Sequence, residues 1–464
     1  MLPSANDCDP RAAWAIYTPG NETPWNFRRV VHLHRRAGFA ATWNELQRDL
    51  KDGPDAAIDR LLKGGSRTEG VPEDFASIAD TLGSQAVESS DVTRLKSWWF
   101  YRMLWGPDPL GERLTLVWHN HFATSNAKVE DTAAMRRQNE IFRKHGRGPF
   151  GELLKAVVHD PALLVWLDAP ANRKGQPNEN LARELMELFT LGIGHYTETD
   201  VKEGARALTG WKLARGAFRD WVPDHDDGEK TLLGRKGRWK GDDFVRMLLE
   251  HPATARRLAW RLCEWLMGEN VVDAAALDAL ADGLRTHDLD IGWAVETILR
   301  ARLFFAEKNL GNRVLGPAEY LVGTARALEC FDPPPSSLLL AEWSARLGQD
   351  LFYPPNVGGW TGGRDWLTTQ GIIGRANYAA ALAEGRVARQ PAAPDFLALA
   401  RRHDRGRDLD DLLTFYTELL TGAAPDPTWR KRLRTALGPH ARPDANTARI
   451  AVALIAAAPE TQLA

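Results

Sequence analysis

Cysteine is scarce in this chain. Its 464 residues hold three, Cys8, Cys263 and Cys330, with no C-x-x-C pair, so neither a disulfide framework nor a thiolate zinc site is expected. No run of about 18 apolar residues occurs, so no membrane-spanning helix is expected. The opening MLPSANDCDPRAAW lacks a basic segment followed by an apolar one, so it does not read as a secretory signal, and the default expectation is a cytoplasmic protein. Charge of one sign is not in excess either. Lys plus Arg number 59 and Asp plus Glu 61, a formal net charge of -2, which argues against a general nucleic-acid or anionic-membrane binder. There is no tandem period and no G-x-G-x-x-G, P-loop or G-x-S-x-G motif.

What is present is an ordinary globular composition, 44% hydrophobic and 26% charged, with enough length for a large core. Tryptophan is abundant at 18 residues. Most belong to helix-packing patterns, but Trp221, Trp239 and Trp360 fall in loops, where they suit a binding surface. Helical periodicity dominates, and the fold class read from it is mainly α. The expected organisation is an extended arm over 1–25, one large multi-helical domain over 26–385 and a smaller helical appendage over 386–464. Residues 66–90 read as a polar connection. Between Trp211 and Trp239 the period is lost in a long Gly-, Trp- and charge-rich loop, with a short hairpin expected at Asp227-Gly228.

The stretch from Asn172 to Trp211 organises the chain. Pro177 breaks what precedes it, Asn178 or Asn180 can cap a helix, and Leu181, Leu185, Leu188 and Phe189 form its apolar stripe. Gly192 and Gly194 end that helix, and Thr197 with Asp200 opens the next as a capping box. Glu184 lies at the edge of the core-facing stripe, where a carboxylate without a partner is costly. It is either a tuned acid, base or metal ligand, or one end of a helix-to-helix ion pair with Arg206 as the candidate partner. Arg183 and Glu187 have i,i+4 spacing and can pair.

Two further clusters carry chemistry. In LTLVWHNHF, His121 shares a helix face with Leu114, Val117, Trp118 and Phe122, while His119 points elsewhere. Each is a candidate ligand or proton-transfer group, or a hydrogen-bonded histidine of the interior. HDDGEKT gathers His225, Asp226, Asp227, Glu229 and Lys230, either facing a metal or polar substrate or forming a solvated turn; its spacing is not that of a calcium loop. LFYPPNVGGWTGGRDWL is a rigid Pro/Gly/Trp loop suited to walling a pocket or covering a core.

The run NENLARELMELFTLGIGHYTETDVKEGARALTGW resembles the centre of the bacterial domain-of-unknown-function family 1800. The likeness extends through RLKSWWFYRMLWGPDPLGERLTLVWHNHFATS, RQNEIFRKHGRGPFGELLKAVVHDPALLVWLDAPANRKG, HDDGEKTLLG and LFYPPNVGGWTGGRDWL, covering the chain from about Arg28 onward. The resemblance implies no particular chemistry. It does imply a genomic setting, beside a sulfatase- or phosphatase-like protein of unassigned family 1501.

Two functions follow as expectations. In the first, an acid/base or metal-assisted, hydrolase-like enzyme, the segments 119–121, 178–184 and 225–228 converge on one pocket. Glu184, His121, His225 and Asp226 are its catalytic candidates. Asn178, Asn180, Arg183, Lys230 and Trp360 contact substrate, and His119, His121, Glu184 and Asp226 are candidate ligands for a divalent metal. In the second, the chain is a helical binding or scaffold protein and the family-1501 neighbour carries the chemistry.

Overall fold

In the computed structural model, residues 10–464 are described; Cys8 and the first nine residues of the expected arm lie outside them. The described residues form twenty-three α-helices and two small antiparallel hairpins, so the fold is mainly α. Local signals set many helix starts. Thr42 and Thr197 each close a capping box, and Pro109, Pro161, Pro252 and Pro317 stand in first turns, where a missing N–H costs nothing.

The apolar side chains gather in two clusters. One joins the helices Phe150–Val158, Glu198–Ala207, Gly241–Glu250, Pro252–Leu266 and Ile291–Arg300 around Phe122, Leu185, Phe189 and Leu262. The other joins Val92–Trp105, Pro317–Ala327, Thr369–Ala383, Leu409–Thr421 and Ala445–Ala457 around Trp99, Leu321 and Phe352. Four helices serve both: Phe27–Ala37, Pro109–His121, Thr132–His145 and Pro161–Trp166. Phe27–Ala37 gives Leu33 and Ala37 to the first and Val30 and Val31 to the second, and Pro109–His121 gives Leu114 and Trp118 to the first and Leu116 to the second. Every residue of Pro109–His121 except Gly111 is buried, as befits a helix with core on all sides.

The described part of the arm and the helices after residue 386 are tied into these cores. Trp14 donates its indole N–H to the Ala276 carbonyl at 2.8 Å, and Ile16 pairs with Ala301. Beyond residue 386, Leu409–Thr421 packs on Phe27–Ala37, and Ala445–Ala457 on Thr369–Ala383.

Two local expectations are corrected. The polar stretch 66–90 contains a helix, Phe75–Glu88, held against Val92–Trp105 through the small residues Ala79, Gly83 and Ala86. A side chain at Gly83 would strike Arg136 and Trp98, so close approach replaces a large apolar stripe. Two hairpins, not one, follow Trp211. They pair Trp211–Ala214 with Ala217–Asp220 and Lys230–Leu232 with Arg235–Gly237. Their turns fall at Arg215-Gly216 and Leu233-Gly234, all four residues at positive φ, while Asp227-Gly228 belongs to a loop fixed by side chains.

Candidate functional site: a tryptophan- and arginine-lined cleft

The last turn of Pro109–His121 sends three side chains into three environments, because successive helical residues project about 100° apart. His119 points to the second core. It packs edge-on to Trp99 and Phe352, and its Nε2 accepts the Phe352 backbone N–H at 3.1 Å. His121 points to the first core, against Trp118, Phe122 and Phe189. Its Nδ1 accepts from Arg261 Nε at 3.2 Å, so its Nε2–H donates to the Phe189 carbonyl at 3.1 Å. A neutral imidazole has one accepting nitrogen, and in both residues it is taken. Burial lowers His119 to about 3 and His121 well below the ordinary histidine value, with Arg261 and Arg257 adding to the latter. Both are neutral imidazoles built into the interior.

Asn120, between them, clamps a distant loop. Its Oδ1 accepts the Trp360 N–H at 2.7 Å and its Nδ2 donates to the Trp360 carbonyl at 3.1 Å. Gly359, at φ +78°, lies so close to Asn120 that a Cβ has no room. The Pro/Gly/Trp loop is thereby held across the end of Pro252–Leu266, and a cavity of about 900 Å³ lies between them. Its walls carry Trp260, Trp265, Trp360 and Trp366, with Arg261, Arg313 and Arg364 and with Glu264, Glu269 and Glu319 among the polar groups. Trp360, a sequence-predicted contact residue, is in the lining of this cavity.

The charges of this cleft are organised by aromatic rings. Arg257 and Arg261 lie over Trp260 at 4.6 and 5.1 Å from the ring centroid, and Arg113 and Arg313 over Trp265 at 5.5 and 5.6 Å. Glu319 is shared by Arg113 and Arg313. Burial lowers Arg261 and Arg313 to about 10, Arg257 contributing at Arg261. Burial raises the Glu264 carboxyl, against a backbone hydrogen bond from Asn270, and Glu269 adds to the rise. Gly363, at φ +53°, leaves its Cβ space to the Glu269 carboxylate, so this loop and the end of the helix are fitted together.

The other expected site residues have partners elsewhere. Asn178 Oδ1 accepts the Asn180 N–H at 3.0 Å, and Asn180 Nδ2 donates to Asp168 at 3.3 Å. Arg183 pairs with Glu198 and Glu179, not Glu187, whose carboxylate accepts from the Tyr196 hydroxyl at 2.5 Å. Glu184 is half-buried. It has no ion pair among the described residues, and burial, then Glu187, raises its carboxyl. Arg206 instead holds Glu203 and Asp226, each at 2.8 Å. The hydrogen bond from Arg206 lowers Asp226 to about 2. His225 Nδ1 donates to the Thr209 carbonyl at 2.9 Å, and the buried Lys230 ammonium donates to the carbonyls of Asp226 and Gly228.

The 172–189 stretch thus touches the two histidine segments at opposite ends. Near Asn172 and Lys174 it meets the HDDG loop, and at Phe189 it meets His121. Among the described residues His121 bonds to Arg261 and Phe189, while His225 and Asp226 bond to Thr209, Arg206 and Gly228, so no hydrogen bond joins the HNH and HDDG segments. Among the described residues, no three His, Cys, Asp or Glu are grouped so as to hold a metal.

A family model described as protein of unknown function (DUF1800) matches residues 32–463. The chain belongs to the DUF1800 family. No curated protein and no solved structure matches it. The cleft, the HNH segment and the HDDG loop lie within the DUF1800 match. Among the described residues no helix is long and apolar enough to cross a membrane. Of the cleft residues of this DUF1800 chain, sequence reasoning singled out Trp360 and missed the rest, Arg261, Glu264 and Glu269 among them. The available signal was the pattern Trp260, Arg261, Glu264, Trp265, which puts two aromatics and two opposite charges on one helix face.

Proposed function

We propose that this chain binds a ring-bearing, hydroxyl-rich ligand such as an oligosaccharide in the cleft between Pro252–Leu266 and the 353–367 loop. The observation that carries this reading is the lining: four tryptophans with interspersed carboxylates and amides around one cavity of about 900 Å³, a size suited to a small-molecule ligand. Trp360 and Trp366 offer flat apolar walls, and Glu264, Glu269, Asn270 and Asn312 offer hydrogen-bond partners for hydroxyls. The test is a panel of neutral and acidic oligosaccharides read by tryptophan fluorescence. Binding that weakens at least tenfold in Trp366→Ala, with the melting temperature kept, supports the reading; a panel with no binder overturns it. If the family-1501 neighbour supplies the chemistry, it co-purifies with this chain.

A second reading, acid-assisted hydrolysis in the same cleft, is favoured by one observation. Glu264 has its carboxyl raised by burial and has Glu269 nearby, a pairing suited to a proton donor beside a base. In that case Glu264→Gln retains ligand binding and abolishes turnover; equal turnover in the variant removes the reading.

A further inference from the structure

The cleft has more guanidinium than carboxylate around it. Arg261, Arg313 and Arg364 line it with Glu264, Glu269 and Glu319. Behind the lining, Arg113 contacts Glu319, Arg36 donates to Asn309 and Asn312, and Arg257 lies over Trp260. Six arginines thus stand in or behind the lining, against the lining carboxylates Glu264, Glu269 and Glu319 and, beside Arg257, Glu187. Glu319 is already taken by Arg113, Arg313 and the Gly316 N–H. Among the described residues, Arg36, Arg257 and Arg261 have no ion pair, and Arg113 Nη2 is buried without a hydrogen bond.

Arg261 is the group this arrangement presents. Its Nε is held by His121 Nδ1 at 3.2 Å, and His121 is itself fixed by the Phe189 carbonyl. Trp260 braces the guanidinium from the side. The terminal nitrogens of Arg261 make no hydrogen bond to the described residues, although the side chain lines the cavity. A planar fork with its third nitrogen tied down is pre-organised for two parallel hydrogen bonds to a carboxylate, sulfate or phosphate. Arg261 feels Glu264 but makes no ion pair with it; a largely buried cation so placed is costly, and an incoming anion relieves that cost.

We propose that the ligand of this cleft is acidic, and that Arg261, supported by Arg313, receives its anionic group. This rests on the cleft being a ligand site. Glu264 and Glu269 face the same space, so the anion is seated toward Arg261 and the carboxylates meet hydroxyls.

The test compares trigalacturonate, a sulfated disaccharide and neutral cellotriose at equal ionic strength, with inorganic sulfate and phosphate as separate arms. Wild-type protein is expected to bind an acidic saccharide at least tenfold more tightly than cellotriose, the preference shrinking between 50 and 500 mM salt, roughly the range over which surface charge is screened. Arg261→Gln, checked as folded by circular dichroism, is expected to weaken the acidic saccharide at least tenfold more than cellotriose and so erase the preference, and Arg261→Lys to restore part of it. Binding of inorganic sulfate or phosphate that competes with the acidic saccharide supports a shared anion seat. Equal binding of acidic and neutral saccharides, or a preference unchanged in Arg261→Gln, overturns the acidic ligand alone. Binding of inorganic anion with no saccharide bound overturns the ring-bearing reading and this proposal's acidic saccharide. No binding by any probe overturns both.

Discussion

Asp160 shows what burial does to a single carboxyl. It caps Pro161–Trp166: its Oδ2 accepts from the N–H groups of Ala162 and Leu163 and from Gln138 Nε2, while Oδ1 is buried without a partner. Burial pushes its pKa up to about 7. The folded value therefore lies above the unfolded one, and between them the native state binds more protons. The associated stability is fully present below about pH 4 and is lost as pH rises through about 7; the whole effect is about 4 kcal/mol at 1.4 kcal/mol per pKa unit. Asp160→Asn keeps an oxygen for the cap. Its melting temperature is expected to exceed wild type by clearly more at pH 8 than at pH 4.5; an equal difference at both pH values contradicts this. Glu184 follows the same sign. With no cation to strand and Glu187 nearby, Glu184→Gln is expected to leave the pH 7 melting temperature unchanged or slightly raised. A clear fall shows that the carboxylate has a structural partner.

At the scale of elements, the important joint is the end of Pro109–His121. Asn120 makes two hydrogen bonds to Trp360 in a buried setting. Asn120→Ala removes both and leaves backbone groups unsatisfied, at about 1–3 kcal/mol each. The expected result is a lower urea midpoint together with faster proteolysis at 353–367, and unchanged cleavage of that loop contradicts the clamp. Sequence alone made this helix legible through its apolar period, and the Thr197 capping box was equally readable, because such signals are local. The partners of its histidines were not. Phe352 and Trp360 lie more than two hundred residues away along the chain, and no periodicity records such a contact. The expected turn at Asp227-Gly228 failed for a related reason. Tertiary bonds from Arg206, Lys174 and Lys230 hold that segment, and the glycine turns at Gly216 and Gly234 make the hairpins. The helix Asn180–Glu184 also continues as a π-helical turn, Leu185–Thr190, which turns the Phe189 carbonyl to His121; a count at 3.6 residues per turn does not reveal it.

For the whole molecule, two cores meet along Pro109–His121, and the cleft opens where that seam ends. The mainly α class was legible from helical patterning. The cleft was only partly legible, because its walls come from distant regions, chiefly the end of Pro252–Leu266, the segment 311–319 and the 360–367 loop. Trp360 was recognised as a loop aromatic; Arg261, within an ordinary-looking amphipathic helix, was not. The central claim is that this cleft, rather than the HDDG loop or an outer face, takes the ligand. Its most direct test is fluorine NMR of protein carrying 5-fluorotryptophan at all 18 positions, assigned by single Trp→Phe variants and titrated with the tightest-binding acidic oligosaccharide. The account predicts shifts at Trp260, Trp265, Trp360 and Trp366, with Trp14, Trp221 and Trp429 unmoved. Shifts confined to Trp211, Trp221 and Trp239, or to Trp429, would contradict it.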